Sequence, residues 1–272
     1  MEAAVGFVVA HGDVVDRARL AWLRSQTAPT EDVLDKLESG QAVKGGWPPL
    51  WDSRVASIDA TCFRLAELDD LGALDRPLAK QALAWLAGRQ REDGRWEEDA
   101  SLAGIAPSWA RPGDTDAGLY LTVNAGFWLA VSGPPPGSSP TWGSHSEESG
   151  EYVPAAQRAA EVFKAAMEPD GSWTSYLVTG WLGGALLYYL GAFYESAQIQ
   201  VALAERVPEM SPSDTAGLAA RMRRVGMAAD DWLLVAARKR LAETQRTDGG
   251  WDSADGEAFN VHTTLTALRA LI

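Results

Sequence analysis

The chain has 272 residues, of which 46% are hydrophobic and 22% are charged, a composition that excludes a disordered or fibrous protein. Its formal net charge of −13 would repel a phosphate backbone, so nucleic acid is not an expected partner. The single cysteine, Cys62, allows neither an intramolecular disulfide nor a cysteine-based zinc finger, and a reducing, cytoplasmic location is expected.

Apolar residues recur at helical spacing along most of the chain, and no segment shows the alternation of a strand. Thr30 is expected to cap a short helix that begins at Glu31. The segment 133–150 is rich in Pro, Gly and Ser and predicts a surface loop inside one domain of residues 1–272. The other predicted helices cover residues 14–25, 57–72, 77–90, 114–131, 154–167, 175–194, 214–225, 230–245 and 259–272.

Two apolar stretches could be mistaken for targeting or membrane segments. Residues 5–10 are too few to span a bilayer, and the acidic Glu2 precedes them where a signal peptide needs basic residues. Residues 176–193 are apolar but contain several glycines, which is typical of a buried helix. We therefore expect no transmembrane segment, while peripheral contact with a membrane stays open.

A Gly-x-Trp tripeptide occurs four times, ending at Trp47, Trp96, Trp173 and Trp251. Each copy is flanked by one helix of mixed polarity and one that is more apolar. This regular period indicates a repeat of helical hairpins. Closing such hairpins in a circle would give an α/α toroid, an all-α fold in which the apolar helices form an inner ring around a central cavity. The tryptophans themselves are expected to be structural.

Polar residues stand at the beginning of the predicted inner helices: Asp59, Asp116, Thr179 and His262. Together they would form a polar ring over an apolar cavity, which is the usual form of an active site. The plainer interpretation is that Asp and Thr at these positions are N-caps. Asp114 lies two residues before Asp116, and two carboxylates exceed what one helix end needs. Like charges held close together raise the pKa of one of them.

The pattern Gln-x-x-Asp-Gly-x-Trp at residues 90–96, and nearly at 245–251, resembles the QW repeat of squalene–hopene cyclases and other class II terpene cyclases. Protein prenyltransferase β subunits are more distantly similar. The resemblance covers almost the whole chain and implies an α/α toroid. These cyclases carry an Asp-x-Asp-Asp motif, and residues 114–117 match its first three positions. The resemblance implies that Asp116 is the general acid, with Asp114 beside it.

The last Asp of the motif is replaced by Ala117, so another group must polarise the acid; Asn124 and His262 are the candidates. Aromatic faces stabilise carbocations without attacking them. Tyr120, Asn124 and Phe127 follow Asp116 along one helix face and are expected to line the cavity. The remaining predicted substrate-binding residues are Phe63, Asp59, Trp181, Tyr189 and Phe259, with Trp109 as a lid.

The glycines of the inner helices indicate either open space or close helix packing, and the sequence does not decide between them. They are Gly118, Gly126, Gly180, Gly183 and Gly184.

The favoured function is cyclisation of a farnesyl- or geranylgeranyl-type chain, above all on a prenylated aromatic or other meroterpenoid precursor, without a cofactor. One alternative is a Mg²⁺-dependent cyclase of farnesyl or geranylgeranyl diphosphate, in which the acidic run 97–99 would hold the ion. A second is a non-catalytic toroid that binds a hydrophobic ligand or a partner protein. A third is a zinc-dependent, prenyltransferase-like protein that would use Asp59, Cys62 and His262.

Overall fold

The structure is a computed structural model that describes residues 1–51, 55–133 and 150–272. It is all-α, with 64% helix and no strand among the described residues. The predicted loop at 133–150 falls almost entirely on residues 134–149, outside the described residues. Within the described part of the chain, no helix is both long and apolar enough to cross a bilayer.

The α-helices are numbered in chain order. They are α1 Glu2–His11, α2 Val14–Ser25, α3 Glu31–Glu38, α4 Ile58–Asp70, α5 Pro77–Ala87, α6 Thr115–Val131, α7 Val153–Ala165, α8 Leu177–Tyr189, α9 Phe193–Arg206, α10 Pro212–Arg224, α11 Trp232–Thr244 and α12 Asn260–Leu271.

The sequence interpretation missed two of these helices, α1 and α9. Residues 5–10 were considered only as a signal peptide or a membrane span, and the helix that contains them, in which Val5 and Val8 are buried, was not predicted. In α9 the residues Ser196, Ile199 and Leu203 are buried at helical spacing, but the polar Ser196 hides this period in the sequence. The Thr30 prediction was also wrong in its detail, because Thr30 is the N-cap residue of α3 but its side chain makes no capping hydrogen bond.

The chain divides into two compact units. Unit 1 comprises Met1–Ser39, Glu67–Ala73 and Gln200–Ile272, and unit 2 comprises Gly40–Ala66 and Leu74–Ile199. In unit 1, α12 packs against α10, α1 and α2. In unit 2, α6 is the central helix and packs against α5, α7 and α8, so its residues from Leu121 to Val131 are all buried.

The Gly-x-Trp turns share a local structure that explains the sequence pattern. In the three turns that contain an Asp, its side chain accepts a hydrogen bond from the backbone amide two residues later, and in all four turns the first Gly adopts a positive φ that other residues rarely reach. In two turns the preceding Gln donates to the Gly carbonyl. These contacts are Asp93 to Arg95, Asp170 to Ser172, Asp248 to Gly250, Gln90 to Gly94 and Gln245 to Gly249.

The four repeat tryptophans are buried, which agrees with the structural role predicted for them. The indole nitrogens of Trp96 and Trp251 each donate, at 2.8 Å, to a carbonyl ten residues earlier in the preceding helix. In three turns the Trp amide also donates to a Thr hydroxyl in the next long helix: Trp47 to Thr61 at 3.0 Å, Trp96 to Thr122 at 3.0 Å and Trp251 to Thr264 at 3.1 Å. The turns at Trp96 and Trp251 are thereby fixed to the helices on both sides.

The glycines in α6 and α8 mostly serve close packing rather than open space. A methyl group on Gly126 would collide with Ala159, one on Gly180 with Trp173, and one on Gly183 with the ring of Phe163. The sequence left open whether these glycines provide open space or close helix packing, and at these three positions they allow close packing.

Replacing Gly183 with Ala is expected to destabilise the protein by about 1–3 kcal/mol, because the added methyl group overpacks the contact with Phe163. Gly118→Ala is the matched control, since the nearest atom to its added methyl group is 4.0 Å away. The control should be neutral or slightly stabilising, as Ala favours helix more than Gly does. Chemical denaturation of both variants measures the difference, and equal stabilities would contradict the packing argument.

Unit 1 contains a buried cluster of charged side chains. Arg19 is only 1% exposed and donates to Asp70 Oδ2 from Nη2 at 2.7 Å and from Nε at 3.2 Å. Arg269 binds both Asp69 and Asp70, and Arg224 binds Asp69 at 3.0 Å. Although burial opposes it, the attraction of Arg269 and Arg19 lowers the pKa of Asp70 to about 2.

His262 belongs to this cluster, where its Nδ1 lies 3.3 Å from both terminal guanidinium nitrogens of Arg19. Burial and the adjacent positive charge of Arg19 lower the pKa of His262 to about 3. The guanidinium can only donate, so Nδ1 is the acceptor and the imidazole is neutral. The structure therefore holds His262 in one tautomer.

Folding should lose stability as the pH falls from about 6.5 to 3, because in this window the unfolded chain protonates His262 and the folded chain does not. The expected slope is up to about 1.4 kcal/mol per pH unit for this group. A variant with Asn at position 262 keeps an acceptor for Arg19 but removes the titration. Unfolding free energies of both proteins across this pH range give the difference, and parallel curves would contradict the assignment.

Candidate active site

A network of polar side chains lies at the beginning of α4 in unit 2, and Asp59 is at its centre. Asp59 is half-buried in the first turn of α4. Its Oδ1 accepts a hydrogen bond from the Tyr120 hydroxyl at 2.6 Å, and its Oδ2 accepts one from the Trp109 indole nitrogen at 3.2 Å. Asn124 donates to the Tyr120 oxygen at 3.2 Å. The chain of donors thus runs from Asn124 through Tyr120 to Asp59.

Glu98 lies under the same helix end and is only 4% exposed. Its carboxylate accepts from the Ser57 hydroxyl at 2.6 Å, from the Ile58 amide at 2.9 Å and from the Asp59 amide at 3.0 Å. It therefore caps α4 from another segment of the chain. Burial raises the pKa of Glu98, the three hydrogen bonds lower it, and the charge of Asp59 raises it further.

Tyr120 remains protonated at neutral pH. Burial, followed by the negative charge and the hydrogen bond of Asp59, raises the pKa of the phenol well above its ordinary value of about 10. A protonated phenol that already accepts from Asn124 can donate its only proton to Asp59. Tyr120 therefore polarises the Asp59 carboxyl group.

The predicted catalytic pair of α6 lies in a different environment. Asp114 is the N-cap of α6, and its Oδ1 accepts from the amides of Asp116 at 2.9 Å and Ala117 at 3.0 Å. This is the capping role that the sequence left as an alternative. Asp116 is exposed, and its carbonyl oxygen accepts from the Ser175 hydroxyl at 2.9 Å. The general acid role of Asp116 stays a prediction.

The threonines bound to the repeat tryptophans fix which residues of the long helices are equivalent. Asp59, Tyr120 and His262 each stand two residues before such a threonine, at Thr61, Thr122 and Thr264. Asp59 and His262, which the sequence placed at equivalent positions, therefore have the same position relative to the threonine that binds the tryptophan. The predicted equivalence of Asp116 was wrong, because α6 begins about one turn earlier than α4 does and Tyr120 takes that position. Local spacing at a helix start could not reveal this offset.

The other predicted site residues fall into three groups. Asn124 belongs to the network around Asp59, and Trp109, at 45% exposed, covers its outer side. Phe127, Trp181 and Tyr189 are buried in unit 2, while Phe63 is half-buried there. Tyr189 donates to the Gly133 carbonyl at 3.0 Å, and Thr179 is buried. His262 and the half-buried Phe259 belong to unit 1.

The acidic run at 97–99 is engaged in structural contacts. Glu97 binds Arg91 and the Gly113 amide, Glu98 caps α4, and Asp99 accepts from the Ser101 amide at 3.0 Å. Across residues 1–51, 55–133 and 150–272, no group of three or more His, Cys, Asp or Glu side chains is arranged to hold a metal ion. Sequence reasoning considered Glu98 only as part of this run. It missed that Glu98 lies beneath Asp59, because no sequence pattern around position 98 indicates that contact.

Unit 2 also has an open surface depression of about 750 Å³ beside the turn before Trp96. Its walls come from residues 92–95 and from α7, including Pro154, Arg158 and Val162. None of the residues of the Asp59 network lines it. We therefore assign it no part in the chemistry, and the predicted aromatic cavity stays a prediction.

Comparison with known proteins gives a similarity of fold. No protein-family model matches the chain, and no curated protein sequence matches it. Among solved structures, the type II terpene cyclase MstE from Scytonema matches with a TM-score of 0.64 and 15% identity, over 99% of this chain and 95% of the MstE chain. A variant of MstE in complex with its substrate, geranylgeranyl dihydroxybenzoate, matches with a TM-score of 0.63 and 17% identity over the same shares.

A protein from Actinoplanes matches with a TM-score of 0.59 and 20% identity, over 95% of this chain and 89% of that one. At sequence identities of 15–20%, these comparisons show a similar fold and do not show which reaction the chain catalyses. The chain has a fold similar to that of a type II terpene cyclase.

Proposed function

We propose that this protein is a class II terpene cyclase, a single α/α toroid of QW-type hairpins that cyclises a linear prenyl chain through a carbocation. A similar fold over 99% of the chain supports the class, and the half-buried Asp59 carboxyl group supports the chemistry. Because MstE is found with geranylgeranyl dihydroxybenzoate, a prenylated aromatic compound or a related meroterpenoid precursor is the preferred substrate. We propose further that the reaction needs no cofactor and that the protein is cytoplasmic.

In this proposal Asp59 is the general acid. Its O–H bond breaks as the π electrons of a terminal alkene form a new C–H bond, and the O–H electrons stay on the carboxylate. The positive charge passes to the more substituted alkene carbon, and neighbouring double bonds attack it in turn. Loss of a proton to water ends the reaction, and Asp59 regains a proton from solvent. The product is an isomer of the substrate.

Two contacts of Asp59 suit this role. The Tyr120 hydroxyl donates to Oδ1, and in this proposal Oδ2 carries the proton. Trp109 contacts Oδ2 and is 45% exposed, so it can act as a lid that moves aside for the alkene. The aromatic rings of Phe63 and Trp181, both in unit 2, remain the proposed wall residues. Their negative faces would stabilise the cation by about 0.5–2 kcal/mol each.

The alternative acid is Asp116, which the sequence motif favours. Asp116 is exposed, and its partner Asp114 is occupied as the cap of α6. A proton donor to an alkene works best where water is excluded. The geometry therefore favours Asp59 over Asp116, and variants of the two residues separate them.

To test the proposal, the purified protein is incubated with linear farnesyl and geranylgeranyl chains. Each chain is supplied in three forms: as the free compound, as its diphosphate and attached to dihydroxybenzoate. Mass spectrometry should find a product with unchanged mass and altered retention time for the prenylated aromatic compound. Turnover of a diphosphate only in the presence of Mg²⁺ would favour the diphosphate cyclase. Binding without conversion of any compound would contradict catalysis and favour a hydrophobic-ligand toroid, and near-stoichiometric zinc would favour the prenyltransferase-like alternative.

A further inference from the structure

We propose that residues 103–113, which carry Trp109, form a lid segment over Asp59, and that Tyr176 is the positioning residue that keeps this lid segment closed. The catalytic meaning of this inference rests on the proposed function, because a closed lid would exclude water from the carbocation. Its physical content concerns only hydrogen bonds between parts of unit 2 and can be tested without a substrate.

Little apolar packing holds the lid segment to the rest of unit 2. Ala106 and Ala110 are its buried residues, and each side chain is a single methyl group. The larger side chains of Ile105 and Trp109 are 48% and 45% exposed. Segments with few buried apolar contacts open at a lower free energy than the core of a protein does. Hydrogen bonds therefore contribute much of what keeps this segment in place.

Among the described residues, two side-chain hydrogen bonds join the middle of the lid segment to other elements. The Trp109 indole nitrogen donates to Asp59 Oδ2 at 3.2 Å, and the Tyr176 hydroxyl donates to the Ser108 carbonyl at 3.1 Å. A further contact, made by the Gly113 amide, lies at the end of the segment where the chain enters α6. Opening of the lid segment must therefore break the two bonds at residues 108 and 109.

Tyr176 is itself well fixed. It is the N-cap residue of α8, and its carbonyl oxygen accepts from the Trp173 indole nitrogen at 2.9 Å. Its ring makes an edge contact with the ring of Tyr120, with centroids 6.3 Å apart. Burial, followed by the negative charges of Asp114 and Asp116, raises the pKa of the Tyr176 phenol. The hydroxyl therefore keeps its proton at neutral pH and remains a donor for the lid segment.

The two bonds of the lid segment differ in what a bound substrate does to them. Trp109 occupies Asp59 Oδ2, the oxygen that the proposed mechanism directs at the alkene. An alkene bound at that oxygen displaces the indole, and the bond to Trp109 is lost. The bond from Tyr176 to the Ser108 carbonyl does not involve Asp59 and can persist. Tyr176 therefore closes the lid segment over a bound substrate.

Hydrogen–deuterium exchange of the unliganded protein, measured by mass spectrometry of its peptides, tests this without any assay of turnover. Tyr176→Phe keeps the ring beside Tyr120 and removes the donated proton. Amides that bond within the lid segment, such as those of Ala110 and Arg111, should exchange about two- to tenfold faster, which corresponds to the loss of one neutral hydrogen bond. Peptides from α6 and α8 should exchange as in the wild type. Tyr194→Phe, at a position that is 75% exposed on α9, is the matched control and should change nothing.

Three results would overturn the inference. The first is unchanged exchange of the lid segment in Tyr176→Phe. The second is equal acceleration in all peptides of unit 2, which would make Tyr176 a general contributor to stability. The third is unchanged exchange in Trp109→Phe, because this variant removes the other bond and should accelerate the same peptides.

With an active substrate, the composition of the product separates lid closure from a merely structural role. A water molecule that enters the site can attack the carbocation, so that an electron pair of its oxygen forms a C–O bond and one of its protons leaves to solvent. The resulting alcohol is heavier than the cyclised isomer by one water molecule. Tyr176→Phe should raise the ratio of alcohol to isomer by about two- to tenfold, whereas a structural defect would lower both products together.

The two proposals can fail separately. An exchange result as expected in a protein that converts no prenyl compound would reject the proposed function and retain this inference. Conversion of a prenyl compound, with unchanged exchange of the lid segment in Tyr176→Phe, would reject this inference and retain the proposed function.

Discussion

Asp59→Asn is expected to lower the turnover of the prenylated substrate by about a hundredfold to ten-thousandfold, the range that general acid catalysis contributes. The amide keeps an acceptor for the Tyr120 hydroxyl but has no acidic proton to give to an alkene. Substrate affinity should change little, because the alkene is bound by its apolar surface. Steady-state kinetics with product quantification gives kcat and KM, and unfolding curves establish that the variant is folded.

The same substitution at position 116 is the decisive comparison. Asp116 is exposed, so under the Asp59 assignment Asp116→Asn should keep turnover within about tenfold of the wild type. If Asp116→Asn is inactive while Asp59→Asn turns over normally, the motif-based assignment is correct and the Asp59 mechanism is wrong. Asp114→Asn is a useful third variant, because Asn also caps helices and should preserve the start of α6.

Asp70→Asn is expected to destabilise unit 1 by about 3–5 kcal/mol. Removing one partner of a buried ion pair leaves the remaining charge without full compensation in a poorly solvated site. Arg19, which is 1% exposed, loses the partner to which it makes two hydrogen bonds, and Arg269 loses one of its two carboxylates. Chemical denaturation measures the loss.

Lys36→Gln is the control for this prediction. Lys36 pairs with Asp13 at 2.6 Å, but both side chains are about half exposed. Exposed pairs of this kind contribute about 0–1 kcal/mol, so the control should lie close to the wild type. An Asp70→Asn variant as stable as this control would show that the cluster contributes no net stability.

The pH dependence of the Asp70 contribution has a definite sign. The folded pKa is lowered to about 2 and the unfolded value is near 3.9, so the contribution is complete above about pH 4 and is lost as the pH falls to 2. This window lies below the one expected for His262, which begins near pH 6.5. The two groups can therefore be separated in one acid titration of stability.

Much of the fold could be predicted from periodicity because the helices are amphipathic or wholly buried over several turns. Helix α6 was expected at 114–131 and is found at Thr115–Val131. The Gly-x-Trp turns were found because their geometry favours Gly at a positive φ, with an Asp beside it in three of the four. Helix α9 was missed because its apolar stripe includes the buried polar residues Ser196 and Gln200, which hide the period.

The candidate site was only partly predictable. Asp59, Tyr120, Asn124 and Trp109 were all candidates from the sequence, yet their mutual contacts were not. They lie 4 to 65 positions apart in the sequence, on two helices and a loop. Asn124 was expected to assist Asp116 and instead acts on Asp59 through Tyr120.

The sequence by itself determined the all-α class, the repeat of Gly-x-Trp turns and the set of residue types available for the chemistry. Those features depend on local spacing and backbone conformation, which act over a few residues. Only the tertiary structure decided that the Asp114 side chain caps α6, that Asp116 is exposed, and that Glu98 lies buried beneath Asp59. Burial and hydrogen bonds between distant segments set the state of a carboxyl group, and they exist only after the helices have packed.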